Sequence, residues 1–212
     1  MAPNRKYWGT VTALPGELLT AQARMAEDAG LEGVFAPQVY GPPFVPLAAA
    51  ATVTNRIKLA SGIALAFARS PFETAVAAMD LDRIINGRFV LGLGTSVRAW
   101  SEGFFGMPYG KPVAHLREVI EIVRLVIEKS HTGELKRYDG VYHHHDFSEF
   151  QPLAEPLRTD LPIWVAGLRQ SLLRLGAEVA DGIIGHPIWS IEWASTRVLD
   201  DIREGLRRGG RS

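Results

Sequence analysis

Residues 89–93, Phe-Val-Leu-Gly-Leu, contain no polar position, and that run constrains the architecture more than any other stretch of the chain. A strand with one face in water alternates apolar and polar residues, whereas a strand covered on both faces reads as a continuous apolar run. Sheets of the second kind are parallel and carry helices on their faces. The flanks of the run agree. Asn86 and Gly87 tolerate positive φ and so can end a preceding helix, and Gly92, Gly94, Thr95 and Ser96 offer backbone N–H groups and hydroxyls where the strand would emerge. That exit reads as a ligand mouth.

The same unit recurs along the chain. A strand is expected over 6–13, with Leu14-Pro15-Gly16 turning into a helix over 16–29. That helix would carry Leu18, Leu19, Gln22, Met25, Ala26 and Ala29 on one side, with Arg24, Glu27 and Asp28 mostly turned away. A second strand over 33–39 ends at Tyr40-Gly41-Pro42-Pro43, an alanine-rich helix covers 45–53, and a third strand covers 57–65. Ser70, Pro71 and Glu73 make a capping box with proline at the first helical position, so a helix runs from there to Ile85 and delivers the chain to 89–93.

After Ser96 the rhythm breaks, and 97–161 reads as an excursion within one domain spanning 1–212. An amphipathic helix over 111–129 sets Val113, Leu116, Val119, Ile120, Val123, Val126 and Ile127 on one face, and Arg117, Glu118, Glu121, Arg124 and Glu128 on the other. Residues 138–142 read as a hairpin. The beat resumes with a strand over 162–167, a helix over 170–180, a strand over 181–185 and a last helix marked by Ile191, Ala194, Val198, Ile202 and Leu206. Repeated β-α units with apolar strands predict a parallel sheet, because a parallel crossover needs a helix to bring the chain back.

Composition excludes several functions. Lys plus Arg and Asp plus Glu are 23 each, so no positive field gathers nucleic acid or anionic lipid. The chain has no cysteine, which removes disulfides, thiolate metal sites and a cysteine nucleophile. No stretch is apolar for long enough to span a bilayer, and no apolar run of signal-peptide type follows the basic start, so a cytoplasmic protein is expected. No metal is expected either: His143, His144 and His145 are consecutive and point different ways, which suits a polar hairpin edge.

Taken together, Gly30-Leu-Glu-Gly-Val-Phe35, Ala60-Ser-Gly-Ile63, Ser70-Pro-Phe-Glu-Thr-Ala75, the stretch from Asn86 to Ser96, Pro112-Val-Ala-His-Leu-Arg-Glu118 and Leu161-Pro-Ile-Trp-Val-Ala-Gly167 resemble the luciferase-like monooxygenase superfamily. The resemblance is to its deazaflavin-dependent branch and covers nearly the whole chain. It implies a TIM-type (β/α)8 barrel, of which about six β/α units are countable here, with the site at the C-terminal ends of the strands. It also implies an oxidoreductase that moves a hydride between coenzyme F420, or alternatively FMN, and a small organic substrate, in a homo-oligomer, a dimer by analogy with the family.

The resemblance assigns the wall behind the cofactor ring to Ser61, Gly62 and Ile63, with a cis peptide at Gly62–Ile63; the residues alone favour a simple bulge at Gly62. Gly92, Gly94, Thr95 and Ser96 would form a second wall. Ala166, Gly167, Leu168 and Arg169 combine a strand exit, free N–H groups at a helix start and a cation, which suits a phosphate. Where relatives place an acid and a histidine, this chain has Gln38 and Val39. Gln38 is therefore expected to hydrogen-bond without transferring protons, and His186 at the last strand exit is the histidine candidate for substrate contact or proton relay, with loop packing as its alternative. Trp100, Phe104, Phe105 and Tyr109 are candidates for the substrate pocket, His115 reads as structural and Arg69 as a surface charge. The rival reading is a non-catalytic relative with an incomplete barrel that binds flavin or is purely structural.

Overall fold

The computed structural model describes residues 5–211, and the alternation runs through it. The first half contains β1 (Trp8–Thr10), α1 (Gly16–Asp28), β2 (Gly33–Ala36), α2 (Phe44–Ala51), β3 (Lys58–Ser61), β4 (Ala64–Leu65), α3 (Pro71–Ile84) and β5 (Phe89–Gly94). The excursion holds α4 (Arg98–Gly103), α5 (Pro112–Lys129) and the hairpin strands β6 (Arg137–Asp139) and β7 (His144–Asp146). The chain then returns through β8 (Ile163–Ala166), α6 (Gln170–Val179), β9 (Gly182–Ile184), α7 (Ile191–Ser195) and α8 (Arg197–Arg208).

The main sheet runs β1-β2-β3-β5-β8-β9 with β4 beside β5, and every pairing in it is parallel. It is curled into a half-barrel. Trp8 on β1 and Trp164 on β8 meet with ring centroids 5.4 Å apart, although they lie four strands apart in the sheet order. In a flat sheet four spacings of about 4.8 Å would part these strands by about 19 Å. The fold is thus a TIM-type barrel lacking its closing units, with β1 and β9 as its edges among the described residues.

Strand β5 is buried at all six positions, as its composition requires. Phe89 meets Phe44 of α2 on the helical side, while Gly92 and Gly94 face Ile184, Ile63 and Ala166 on the inner side. Asn86 and Gly87 have φ of 53° and 76° and stop α3, and Ser70 Oγ accepts the Glu73 N–H at 3.0 Å to start it.

Four expectations are corrected. The third strand is split into β3 and β4 by a cis peptide at Gly62–Ile63, not continuous. The last helix is broken at Thr196, which has φ −121° and ψ −86°, so Ile191 lies on α7 in solvent and only Val198 of the expected series lies deep on α8. Leu18 and Met25 on α1 are 59% and 70% exposed, because α1 rests on α2 and β2 through Leu19 and Ala23 and flanks the edge strand β1.

The fourth correction concerns two acids placed in solvent by periodicity. Glu27 is buried and its carboxylate accepts the N–H groups of Asn55 (2.9 Å), Arg56 (2.7 Å) and Ile57 (3.1 Å). Burial alone would push its pKa up, but those amides and Arg56 bring it below the ordinary carboxylate value. Glu118 on α5 is buried in the same manner, accepting from Val141 (2.9 Å), Tyr142 (2.9 Å) and His143 (2.6 Å), which docks the hairpin onto the helix.

Candidate functional site

The strand C-termini of a parallel barrel all point to one mouth, so the exits of β2, β4, β5, β8 and β9 converge by topology. A cleft of about 520 Å³ lies there. Phe35, Ile63 and Ile184 give it an apolar floor, Gly94, Thr95 and Ser96 form one wall, and Ala166, Gly167 and Leu168 form the wall opposite. Gly185, His186 and Pro187 close the rim. Nine of the thirteen residues expected from the sequence therefore line this cleft.

Four do not line it: Gln38, which reaches it only through its N–H on the Ile63 carbonyl, and Ser61, Gly92 and Arg169. Ser61 lies one layer below, in a second, inner space of about 230 Å³ that also holds Trp8, Phe35 and Trp164, and Gly62 borders both spaces. The Gly92 N–H is not bare: it donates to Ser61 Oγ at 2.8 Å, and that hydroxyl in turn donates to the Gly92 carbonyl at 2.9 Å. Gly92 thus holds β5 against β3. Arg169 stands exposed outside the cleft, beside a shallow surface recess with Trp189 and Trp193.

Gly94 is the position at which the wall meets the floor: a Cβ built there would fall on the end of the Ile63 side chain, well under 3.0 Å away, so bare backbone here is what leaves room for Ile63 in the cleft. On the opposite wall, Arg169 caps α6, and its carbonyl accepts the N–H groups of Leu172 and Leu173 at 3.1 Å each. The N–H groups of Gln170 and Ser171 at the start of the helix face no backbone carbonyl. A flat ring against Gly94 and an anionic tail at α6 is an arrangement these residues fit.

Gln38 follows β2, buried, with its N–H on the Ile63 carbonyl at 3.1 Å. Its Oε1 accepts from the Leu65 N–H at 3.0 Å and from Arg69 Nη2 at 2.9 Å. Two donors on one oxygen fix the orientation of the amide, and Nε2 is left without a protein partner. Arg69 is accordingly corrected from a surface charge: it is half-buried, its guanidinium lies 5.3 Å from the Phe44 ring centre, and desolvation lowers its pKa. Sequence reasoning had no local signal for this pair, whose members are separated by 31 residues.

His186 is exposed at the rim, and its Nδ1 accepts the Ile188 N–H at 3.3 Å. In the neutral ring that bond places the proton on Nε2. Of the four aromatic residues expected at a pocket, Trp100 and Phe104 gather around Tyr40, at 5.8 Å each, two residues along the chain from Gln38, and neither lines the cleft. Tyr109 donates its hydroxyl to the Ser96 carbonyl at 3.1 Å, bracing the wall from behind.

Behind that brace the histidines form a packed column. His115 is buried, stacks on Phe67 at 3.9 Å, and faces the Tyr109 carbonyl through Nδ1 at 3.1 Å, the structural role expected of it. Its Nε2 lies 2.9 Å from His143 Nε2. Because a carbonyl only accepts, His115 carries its proton on Nδ1 and His143 donates. Burial pushes the His143 pKa down to about 4, with His115 adding to the effect. The hairpin edge is therefore polar only at His144; His143 and His145 pack inward. Among the described residues no group of acids and histidines is placed to hold a metal ion.

Comparison with known proteins agrees with this geometry. The family model described as luciferase-like monooxygenase matches residues 4–212. A protein of Mycobacterium tuberculosis, provisionally named a coenzyme F420-dependent oxidoreductase, is 33% identical over 218 residues, a match covering 96% of this chain and 59% of the relative. Coenzyme F420-dependent tetrahydromethanopterin reductase from Methanopyrus kandleri superposes with a TM-score of 0.82 at 23% identity, over 98% of this chain and 62% of that one. The oxygenating component of a Pseudomonas putida diketocamphane monooxygenase, in complex with FMN, superposes with a TM-score of 0.79 at 18% identity, over 98% and 64%. The chain thus spans about 60% of the length of the curated relatives it matches.

Proposed function

Because the chain belongs to the luciferase-like monooxygenase family, we propose that it is an oxidoreductase transferring a hydride between a deazaflavin, coenzyme F420, and a small organic substrate, with FMN as the alternative cofactor. The observation that carries this reading is the cleft at the strand exits, with Gly94 and Ile63 meeting across it and a helix start at its far end. When bound, such a cofactor supplies or accepts the hydride at its flat ring.

The chain's own residues do the rest. Gly94 with Thr95 and Ser96 offers backbone approach and hydroxyls to the ring, and Ser61, through Gly92, keeps that wall in register with β3. Gly167, Leu168 and the N-terminus of α6 receive the anionic tail, with Arg169 supplying positive charge from outside. Gln38 orients the substrate through Nε2 and exchanges no proton. His186 presents its Nε2–H at the rim, where it can hydrogen-bond a substrate oxygen.

A homo-oligomer is part of the same proposal: exposed Tyr7, Leu18 and Met25 lie near the β1 edge and Ile188, Ile191 and Leu199 near the β9 side. Sedimentation at micromolar concentration tests it, and a monomer would contradict it. No helix of the described residues is long and apolar enough to cross a membrane. The second reading, a flavin binder without catalysis, draws on Gln38, which cannot act as acid or base near neutral pH.

The experiment that separates the readings is incubation of the purified chain with each reduced cofactor and a panel of ketones, aldehydes and imines, following cofactor absorbance. Substrate-dependent oxidation of one cofactor supports the enzyme. Tight binding without turnover across the panel supports the second reading, and no binding removes both.

A further inference from the structure

Among the described residues the half-buried arginines fall into three groups. Arg83, Arg117, Arg124, Arg158 and Arg174 pair with carboxylates at 2.8–2.9 Å. Arg88 donates to the backbone carbonyls of Ile57 and Thr54. Arg69 has neither kind of partner: its single hydrogen-bond acceptor is the neutral amide oxygen of Gln38, and its Nη1 is buried with no partner at all. No carboxylate lies within 4.0 Å of it, and Glu73, in the first turn of α3, reaches it only through space.

A buried cation without a counter-ion is unfavourable, and proteins normally supply one. Its placement here is also specific. Gln38 holds Nη2 of Arg69 through its Oε1 and its Nε2 has no protein partner, so the pair presents N–H donors and a positive charge together. Two residues along the chain from Gln38, Tyr40 stacks on Trp100 and meets Phe104 edge-on, giving an apolar aromatic surface. The Gln38 N–H is bonded to Ile63, whose side chain lines the cleft, which puts this group at the mouth and not on a remote face.

We propose that Arg69, held by Gln38, is the specificity-determining element of the substrate site, and that the substrate carries a carboxylate on a flat apolar body. The proposal rests on the oxidoreductase reading for the word substrate, but the anion site stands on its own geometry. The carboxylate takes Nη1 of Arg69 and Nε2 of Gln38, a charge-assisted pairing of the kind arginine favours. The apolar body lies on Tyr40 and Trp100. Nη1 is out of contact with solvent in this form, so binding includes a local rearrangement of the segment carrying Tyr40 and Phe44, and Trp100 reports it.

The test uses benzoate and benzamide as probes, which have nearly the same shape and differ in charge, titrated into the purified chain without cofactor while tryptophan fluorescence is followed. Millimolar binding of benzoate, at least tenfold tighter than benzamide, is expected. Arg69→Met is expected to abolish the preference and Arg69→Lys to keep part of it. Gln38→Glu, which supplies the missing counter-ion from within, is expected to abolish it while strengthening the native pair, and serves if Arg69→Met does not fold. Equal binding of the two probes, absence of benzoate binding, or a preference retained in Arg69→Met or Gln38→Glu would overturn the proposal. A parallel titration with FMN and coenzyme F420 keeps the two readings apart: loss of cofactor binding with the benzoate preference intact counts against the function, and the converse counts against Arg69 alone.

Discussion

Gly92 and Gly94 are two residues apart on one strand, yet alanine at each should have opposite consequences. A Cβ on Gly92 would sit far under 3.0 Å from the carbonyl oxygen of Ser61, which is backbone and belongs to a central strand. Relief requires β3 and β5 to part, which also breaks both hydrogen bonds between Ser61 Oγ and Gly92. Overpacking of about 2–3 kcal/mol and two bonds of about 1 kcal/mol each give a loss of about 4–5 kcal/mol. For a chain of this size that lowers Tm by about 8–20 °C. A Cβ on Gly94 meets instead the end of the Ile63 side chain, which can rotate away. Gly94→Ala should therefore cost about 1 kcal/mol and about 2–4 °C. The methyl and the displaced Ile63 side chain both intrude on the cleft, so cofactor affinity should fall at least tenfold. Thermal unfolding by circular dichroism and cofactor titration by fluorescence read the two effects separately. A Gly92→Ala protein as stable as the parent, or a Gly94→Ala protein that binds cofactor undiminished, would refute the assignment of one glycine to packing and the other to the site.

Three further outcomes follow from the same contacts. Glu118→Gln leaves amide hydrogens of 141–143 facing an NH2 group, so a loss of about 3 kcal/mol is expected in urea unfolding, with the 137–146 hairpin exchanging its amide hydrogens fastest; protection unchanged from the parent would contradict the docking role. Between pH 6.5 and about 4 the unfolded chain takes up a proton at His143 that the folded chain refuses, so stability should be full above pH 6.5 and fall as pH drops through that window, levelling below it. At 1.36 kcal/mol per unit, discounted for partial solvation, this is about 1–2 kcal/mol. His143→Phe should flatten the urea midpoint against pH, and an unchanged slope would count against it. Arg169→Ala should weaken cofactor binding about threefold to tenfold at low salt and less at high salt, because the side chain is exposed, with no change in Tm; a salt-independent effect would point to a packing role instead.

What the sequence disclosed depends on how far each signal reaches along the chain. The apolar run of β5, the Ser70 cap and the Asn86–Gly87 stop are set by neighbours within a few residues, and all three stand where expected. The convergence of Gly94, Ala166 and His186 followed from counting strands, since parallel strands of one barrel must open at one end. Glu27, Glu118 and Arg69 were misplaced because their partners come from segments 23–31 residues away, and helical periodicity says nothing about amides delivered from elsewhere. Gly92 was misread for a related reason: a glycine at a strand exit looks the same whether it faces a ligand or another strand's backbone, and only the β3–β5 register separates the two. Leu18 and Met25 follow the helical period correctly and are still exposed, since no element covers that flank of α1 among the described residues.

The central claim is that the cleft at the strand exits holds a flavin or deazaflavin ring against Gly94. Its most direct test is titration of the purified chain with FMN and with coenzyme F420, following the quenching of cofactor fluorescence, in the parent and in Gly94→Ala. Saturable binding of at least one cofactor, one equivalent per chain and weakened at least tenfold by the alanine, is the expected result. Binding of neither cofactor, or binding indifferent to Gly94→Ala in a protein that remains folded, would contradict it.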